Sequence, residues 1–453
     1  MRKKQAGSMD ENTPNGPHAR LRLALRGFAA VCFCLGLSSC GEKSQSKALP
    51  LDDADFLARA SGFVSEPLPD ADLTNRFCEN EKAALFGRRL FGEMAFSGEG
   101  TRSCISCHDP SHGFADTRSL SHGEGDVNRH APTLINVAYG QWFGWGGKAD
   151  SLWSQALGPL EHPAEMGGDR LAIAHHLSNT PELAKTYGEL FGTLPALNDA
   201  ARFPAHGLPS GADPGGKRAT ASAAWEAMAD GDRQTINRIF SNVGKALAAY
   251  ETKLISGPSP FDRRVRALQR GDCEPVEGWD AAAARGFDLF TGHAMCVVCH
   301  SGPRFSDGEF HNTGAPPLHG GEPVDPGRYQ GGPTLQASIF RAGGAFSDHT
   351  SGQRAERTKR LKTGSEQWGE FKTPSLRNLV ERPPYMHQGQ FEDLEQVVDF
   401  YDTRENSVGQ SHHQEQILRP LSLTEEQRSD LLAFLRALQG GPVSAPWATP
   451  RPF

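Results

Sequence analysis

Two five-residue runs constrain this chain more than anything else in it: Cys104-Ile105-Ser106-Cys107-His108 and Cys296-Val297-Val298-Cys299-His300. The C-x-x-C-H pattern is what covalent haem attachment requires. Two thiols at that spacing reach the two vinyl groups of one porphyrin, and the adjacent histidine meets the iron from the proximal side. One such motif is compatible with a zinc or redox site. Two, each with its histidine, in a chain that begins like an exported one, point to a c-type di-haem protein.

The repeat extends past the motifs. Gly87-x-x-Leu90-Phe91 and Gly286-x-x-Leu289-Phe290 precede the two sites in stretches that read as helices, with Phe86 and Leu90 spaced to share a face. A helix leading into a haem-binding loop is how a cytochrome c unit begins. Ile236, Ile239, Phe240, Val243, Leu247, Tyr250 and Leu254 line one face of another helix, stopped near Gly257. Thr424 and Gln427 make a capping box before Leu431, Leu432, Leu435 and Leu438, a run that ends at Gly440. Strand-like alternation is scarce. The expected fold is therefore mainly α, with two cytochrome c-like domains, one covalently bound haem in each, and long connecting loops. Pro195 to Ala221 reads as an inserted surface loop, and the Gly-rich, polar stretch Gln330 to Gly369 as a functional or mobile one.

The N-terminus stands apart. Arg20, Arg22 and Arg26 precede an apolar run from Phe28 to Leu37 that is too short to span a bilayer, followed by Leu37-Ser38-Ser39-Cys40-Gly41. Small residues before a cysteine here resemble a bacterial lipoprotein signal, with Cys40 lipidated and the mature protein periplasmic. An ordinary signal with a coincidental cysteine is the alternative. The expected division is a signal over 1–39, a tether over 40–72, domains over 73–230 and 231–440, and a tail over 441–453.

The full chain has 47 basic and 54 acidic residues; six of the former and two of the latter lie in 1–39, leaving 41 against 52. Such a surface offers no footprint for nucleic acid and no electrostatic reason to bind anionic lipid, so membrane contact is expected only through the anchor. Of nine cysteines, Cys32 and Cys34 fall in the signal, Cys40 is the anchor and four belong to the haem motifs. Cys78 and Cys273 remain. A disulfide between them suits an oxidising compartment, but spacing gives no Cα distance, so the pairing stays open.

Further runs keep a fixed order. After the first haem motif come Ala131-Pro132-Thr133-Leu134-Ile135-Asn136-Val137, Trp145-Gly146-Gly147-Lys148, Gln155, Gly158-Pro159-Leu160 and Glu165-Met166. Ala246-Leu247-Ala248-Ala249-Tyr250-Glu251 and Ser259-Pro260-Phe261-Asp262 precede the second motif. His311-Asn312-Thr313-Gly314, Phe371-Lys372-Thr373-Pro374-Ser375-Leu376-Arg377-Asn378 and Pro384-Tyr385-Met386-His387 follow it. In these runs the chain resembles the bacterial di-haem cytochrome c peroxidase family, which includes the MauG-type (methylamine-utilisation) enzymes, from about Leu73 to Gln439.

The resemblance implies a division of labour. The haem on His108 would be the peroxidatic one, where hydrogen peroxide reacts, and the haem on His300 an electron reservoir. Trp145 would carry electrons between them. Gln155 and Glu165 match the distal pocket, with Glu165 as acid/base and Pro159 shaping the same space. Tyr401, on a face formed with Leu394, Val397 and Val398, stands where peroxidases of the family place methionine and MauG-type enzymes place tyrosine as ligand to the second iron. Simple core packing of Tyr401, with Met386 or Met295 as ligand, is the alternative. A phenolate favours higher oxidation states than methionine does. His387 is expected near the second haem's propionates.

Two positions depart from the MauG pattern. His122 stands where reducible peroxidases carry a distal ligand to the first iron; it is either that ligand or a loop histidine without iron contact. The family's inter-domain calcium uses an Asn side chain where this chain has His130, with carbonyls corresponding to Arg382 and Pro384. Because calcium prefers oxygen, the change weakens the expected site. The resulting expectation is a peroxidase that generates high-valent haem iron and oxidises residues of a protein partner. The alternative is peroxide detoxification with electrons from a small cytochrome or cupredoxin. A non-catalytic electron-transfer cytochrome would have no use for Glu165.

Overall fold

Capping residues and apolar spacing set the helices of this chain, described here from a computed structural model over residues 53–64, 71–213, 215–409 and 414–450. The signal, Cys40 and most of the tether lie outside the described residues. Helices α1 (Asp53–Ala60) and α2 (Glu81–Phe91) precede the first haem motif. After it come α3 (Leu152–Glu161), α4 (Arg170–Asn179), α5 (Pro181–Phe191), α6 (Ala219–Ala227) and α7 (Asp230–Glu251). Helices α8 (Pro260–Gln269) and α9 (Ala281–Thr291) lead to the second motif, and α10 (Arg328–Ala337), α11 (Gln353–Lys359), α12 (Leu394–Thr403) and α13 (Glu425–Arg436) follow. Asn80, Asp280 and Thr424 each accept a backbone N–H at the start of their helices, and Thr424 and Gln427 form the expected capping box. Two-residue strands β1 (Phe310–His311) and β2 (Phe371–Lys372) pair antiparallel and form the only sheet among the described residues.

These elements make one compact unit with two main apolar cores. In the first, α7 lies between α2 and α3. From Ile236 to Glu251 every residue of α7 except Arg238 is buried, so the apolar face read from the sequence is the thickest part of a helix packed on all sides. The helix stops at Glu251, six residues before Gly257. In the second core α9 packs on α13, and Phe261, Phe287, Phe290, Phe305 and Phe434 interlock through edge-to-face and tilted ring contacts.

Several expected boundaries move. Helix α7, assigned above to the second domain, belongs to the first core. Part of the tether is structural: Phe56, Ala60 and Phe63 are buried in the second core, where Phe56 meets Phe261, Trp279 and Phe287. The tail is not free either, since Val443 is buried in the first core and Trp447 packs against it. Pro195–Ala221 is no plain surface loop, because Leu197, Phe203 and Leu208 are buried along it. Gln330–Gly369 contains most of α10, all of α11, and Phe340 and Phe346, which enter the first core.

The Cys78–Cys273 disulfide does not form. Cys78 is a free, buried thiol beside the first core, where its carbonyl accepts from Thr252 Oγ1. Cys273 packs against the second core and is disulfide-bonded, but not to Cys78. Spacing alone could not reveal that Cys78 is buried beside the end of α7 whereas Cys273 packs against the second core.

Candidate functional site

Each haem motif forms a single 3-10 turn, Cys104–Ser106 and Cys296–Val298, directly before its second cysteine and histidine. His108 Nδ1–H donates to the Phe114 carbonyl at 3.1 Å, and His300 Nδ1–H to the Phe305 carbonyl at 2.8 Å. A carbonyl can only accept, so both rings are held with Nε2 as a free lone pair. Burial lowers both imidazoles below their usual pKa, which favours this neutral ligand form. Phe114 and Phe305 both sit at positive φ, 54° and 51°, a strained conformation for a bulky residue. The strain aims the two carbonyls at the two histidines, and the repeat thus reaches beyond what the sequence pattern displayed.

Cys104, Cys107 and His108 line a cavity of about 730 Å³, walled by apolar side chains such as Phe91, Leu134, Phe143, Met166, Phe240 and Phe340. The volume, the free Nε2 and the two thiols on one wall fit a haem. Trp145, Gln155, Pro159 and Glu165 line the same cavity, so the residues picked out along the sequence converge in space. Gln155 and Pro159 lie on α3 and Glu165 in the turn after it, where its N–H donates to the His162 carbonyl. The Glu165 carbonyl accepts from Glu124 N–H at 2.8 Å. A Cβ on Gly123 would stand 2.0 Å from that same oxygen, so glycine there permits the close approach. Glu165 Oε1 lies 3.6 Å from His162 Nδ1 and 3.9 Å from Lys148 Nζ.

His122 does not face this cavity. Its neighbours Ser121 and Gly123 line it, but the imidazole is half exposed and hydrogen-bonds Asp126 at 2.9 Å. The loop-histidine reading replaces that of a distal ligand.

Trp145 joins the two halves. Its Nε1–H donates to the His130 carbonyl at 2.9 Å, and its own carbonyl accepts from Lys372 N–H, on β2, at 2.8 Å. The glycines around it make room for α10: a Cβ on Gly146 would meet the Gly327 carbonyl at 2.6 Å, and one on Gly331 the Gly146 carbonyl at 1.9 Å. Trp145 stands edge-on to His387, which stacks on Phe371 at 3.7 Å between centroids. Burial pushes both His130 and His387 down to about 4, so both are neutral at this junction. His130 Nδ1–H donates to the Arg118 carbonyl, and the positive charge of Arg382 bears on the same ring. A cation bound beside His130 would meet that charge, which disfavours the calcium site further.

At the second motif, Tyr401 on α12 has its phenol within electrostatic range of Cys296 and Cys299 and in hydrogen-bond reach of Thr313. Burial pushes the phenol up to about 12, against the pull of Arg404, so losing its proton calls for a strong positive partner such as ferric iron. Met295, an alternative ligand, is half exposed at the head of its turn. Arg304, Lys372 and Arg382 cluster nearby, with no carboxylate bound to any of them among the described residues. Burial, with repulsion from Arg304 and Arg382, lowers Lys372 to about 8, and burial lowers Arg382 to about 10. Among the described residues Arg304 and Arg382 donate only to backbone carbonyls, and cations without a carboxylate partner fit the anionic propionates of a haem.

Lys148, Lys372 and Glu251 all lie within the ordered runs, but nothing in their spacing marks a role for them. His162 was signalled only by its place three residues before Glu165, and Arg304 not at all. Asp307 and Glu415 clamp His311 through both ring nitrogens, each at 2.8 Å, and hold it protonated, up to about 11. The Cys299, Asp307 and His311 donor atoms lie within 4.8 Å of one another, but Cys299 already belongs to the haem motif.

A family profile described as di-haem cytochrome c peroxidase matches residues 80–270. The chain is 31% identical over 421 residues to the methylamine utilization protein MauG of Methylorubrum extorquens, covering 92% of this chain and 93% of that one. It is 31% identical over 370 residues to cytochrome-c peroxidase IdrP1 of Denitromonas iodatirespirans, covering 79% and 81%. It is 26% identical to cytochrome c551 peroxidase of Pseudomonas aeruginosa, covering 87% and 90%. In fold it resembles a MauG-like protein associated with microbial copper homeostasis, with a TM-score of 0.57, 24% identity, and 85% and 96% of the chains covered.

Proposed function

The chain belongs to the di-haem cytochrome c peroxidase family, which includes MauG, and is a haem-dependent oxidoreductase; on that premise we propose that it works in the MauG manner, oxidising residues of a protein partner. We assign Cys104 and Cys107 to the first haem as thioether anchors with His108 on its iron, and Cys296, Cys299 and His300 to the second. The bound haems supply cleavage of the peroxide O–O bond and storage of the two oxidising equivalents this releases.

The protein's own part is acid–base chemistry, positioning and electron routing. Glu165 accepts a proton from peroxide entering the cavity and returns it to the departing oxygen. Gln155, one helical turn before Pro159, offers both a donor and an acceptor to the bound peroxide, and Pro159 adds a rigid wall without an N–H. Trp145, tied to His130 on one side and Lys372 on the other, is the electron bridge. The arrangement calls for no close contact between partner and cavity, because electrons from the partner enter through the second half. In this reading Cys40 anchors the protein by lipid on the periplasmic side, and calcium plays no required part.

The observation that carries the MauG-type reading is Tyr401, aimed at the second haem motif, together with a His122 turned away to Asp126. A phenolate ligand suits retention of oxidising equivalents, and a first site without a histidine plug needs no prior reduction. Spectra test this directly. The resting ferric protein should show one high-spin and one low-spin haem and react with peroxide without one-electron reduction. Tyr401→Phe should change the low-spin spectrum; an unchanged spectrum would overturn the ligand assignment. A requirement for prior reduction, removed by His122→Gly, would establish the peroxide-detoxifying alternative fed by a small electron carrier.

A further inference from the structure

Reducing one hydrogen peroxide to two waters takes two electrons, from the partner residues or a small carrier, and two protons that come from solvent. Glu165 handles one proton at a time inside the cavity, so turnover needs a group that connects it with bulk water.

We propose that His162 is this group, a proton relay between the Glu165 carboxylate and solvent. The proposal rests on the acid/base reading of Glu165, and His162 acts through that residue as a positioning residue. The two side chains form a short gradient of exposure: 43% for His162 and 25% for Glu165, with both lining the cavity. Their 3.6 Å separation is slightly long for a hydrogen bond and closes with a small ring rotation or one bridging water.

The local fold leaves only the ring free to move. His162 caps α3, its N–H donates to the Gly158 carbonyl at 3.1 Å, and its own carbonyl accepts from Glu165 and Gly167. The charged groups facing the imidazole are Glu165 on its own turn, Lys148 from the loop before α3 and Arg218 from the head of α6. Arg218 is otherwise engaged, donating to the carbonyls of Glu161, Ala212, Gly167 and Gly168. Burial and the two cations together lower the imidazole below its usual range, opposed by Glu165, so the ring is neutral near pH 7. A neutral imidazole both donates and accepts, as a relay must, whereas the Lys148 ammonium only donates and serves as counter-charge.

The test uses the full-length di-haem protein with Glu165→Gln, His162→Gln and His162→Ala. The first readout is cyanide association with the ferric first haem across pH, which requires a distal base but no turnover. Wild type should show an inflection below the usual histidine range that His162→Gln abolishes, while Glu165→Gln slows association at every pH. The second readout is turnover: His162→Gln should lower kcat by about ten-fold with KM unchanged. His162→Ala should regain rate on addition of imidazole. If Glu165→Gln slows cyanide binding but His162→Gln keeps the wild-type pH profile, the relay is refuted and Glu165 stands. If Glu165→Gln leaves cyanide binding unaltered, the acid/base reading falls and the relay with it.

Discussion

Glu251 ends α7 against the first cavity with a carboxyl oxygen that no donor reaches. Burial alone pushes this acid up to about 8 from an ordinary value of 4.5. The folded protein therefore holds a proton that the unfolded chain releases between those two values. By linkage this group's contribution is fully present below pH 4.5, is lost as pH rises toward 8, and is flat beyond. Glu251→Gln should remove that slope. Denaturant unfolding of the holoprotein should show the variant gaining on wild type through this window, by a few kcal/mol at pH 9 relative to pH 4.5. An identical pH dependence in both proteins would contradict an uncompensated carboxyl. Of the residues at this scale, Trp145, Gln155, Pro159 and Glu165 were legible because the ordered runs mark them. The orientation of His122 and the orphan state of Glu251 were not: spacing puts Asp126 within reach of His122 without saying which way the ring turns, and the burial of Glu251 is set by segments remote in sequence.

Helices meet in this molecule where side chains are missing. The two repeat glycines, Gly87 and Gly286, lie at equivalent crossings: a Cβ on the first would stand 1.8 Å from the Ala246 carbonyl, and on the second 2.0 Å from that of Asp430. Those backbones belong to α7 and α13, the partners of α2 and α9. Alanine in an exposed helix is worth up to about 1 kcal/mol over glycine, but a clash with backbone cannot relax by rotamer change. Gly87→Ala and Gly286→Ala should therefore each lower stability by about 3 kcal/mol in denaturant titrations. Gly231→Ala, in the exposed first turn of α7 with nothing near its Cβ, should raise it by about 0.5 kcal/mol. The same sign at all three sites would refute the close-crossing explanation. The repeat was visible in sequence as a spacing of glycine before Leu-Phe. Its physical cause was not, because the partner helices lie more than a hundred residues away.

Across the whole molecule the halves are laced rather than linked. Phe340 and Phe346, from the second half of the chain, are buried in the first core, and Phe340 also lines the first cavity. The buried ammonium of Lys245 on α7 pairs with Asp348 at 2.9 Å and pins the same excursion. Arg129 makes a bidentate pair with Asp325 beside the Trp145 junction. Unfolding one half should thus expose apolar surface on the other. Phe340→Ala is expected to cost about 4 kcal/mol, to perturb the absorption of the first haem and to leave a single unfolding transition. Two separate transitions in wild type would show that the lacing carries little energy.

By itself the sequence determined the number and position of the haem motifs, the mainly helical composition, the capped ends of helices and the family. Each rests on distances along the chain of a few residues, where covalent geometry fixes what can meet: two thiols three residues apart, apolar positions three and four apart, an oxygen three residues ahead of an N–H. Tertiary structure decided which core claims α7, that part of the tether and the tail are packed, and that Cys78 and Cys273 do not pair. It also gathered the Arg304, Lys372 and Arg382 cluster and brought Lys148 and Arg218 to face His162. These depend on burial and charge among segments remote in sequence, and no local spacing encodes them.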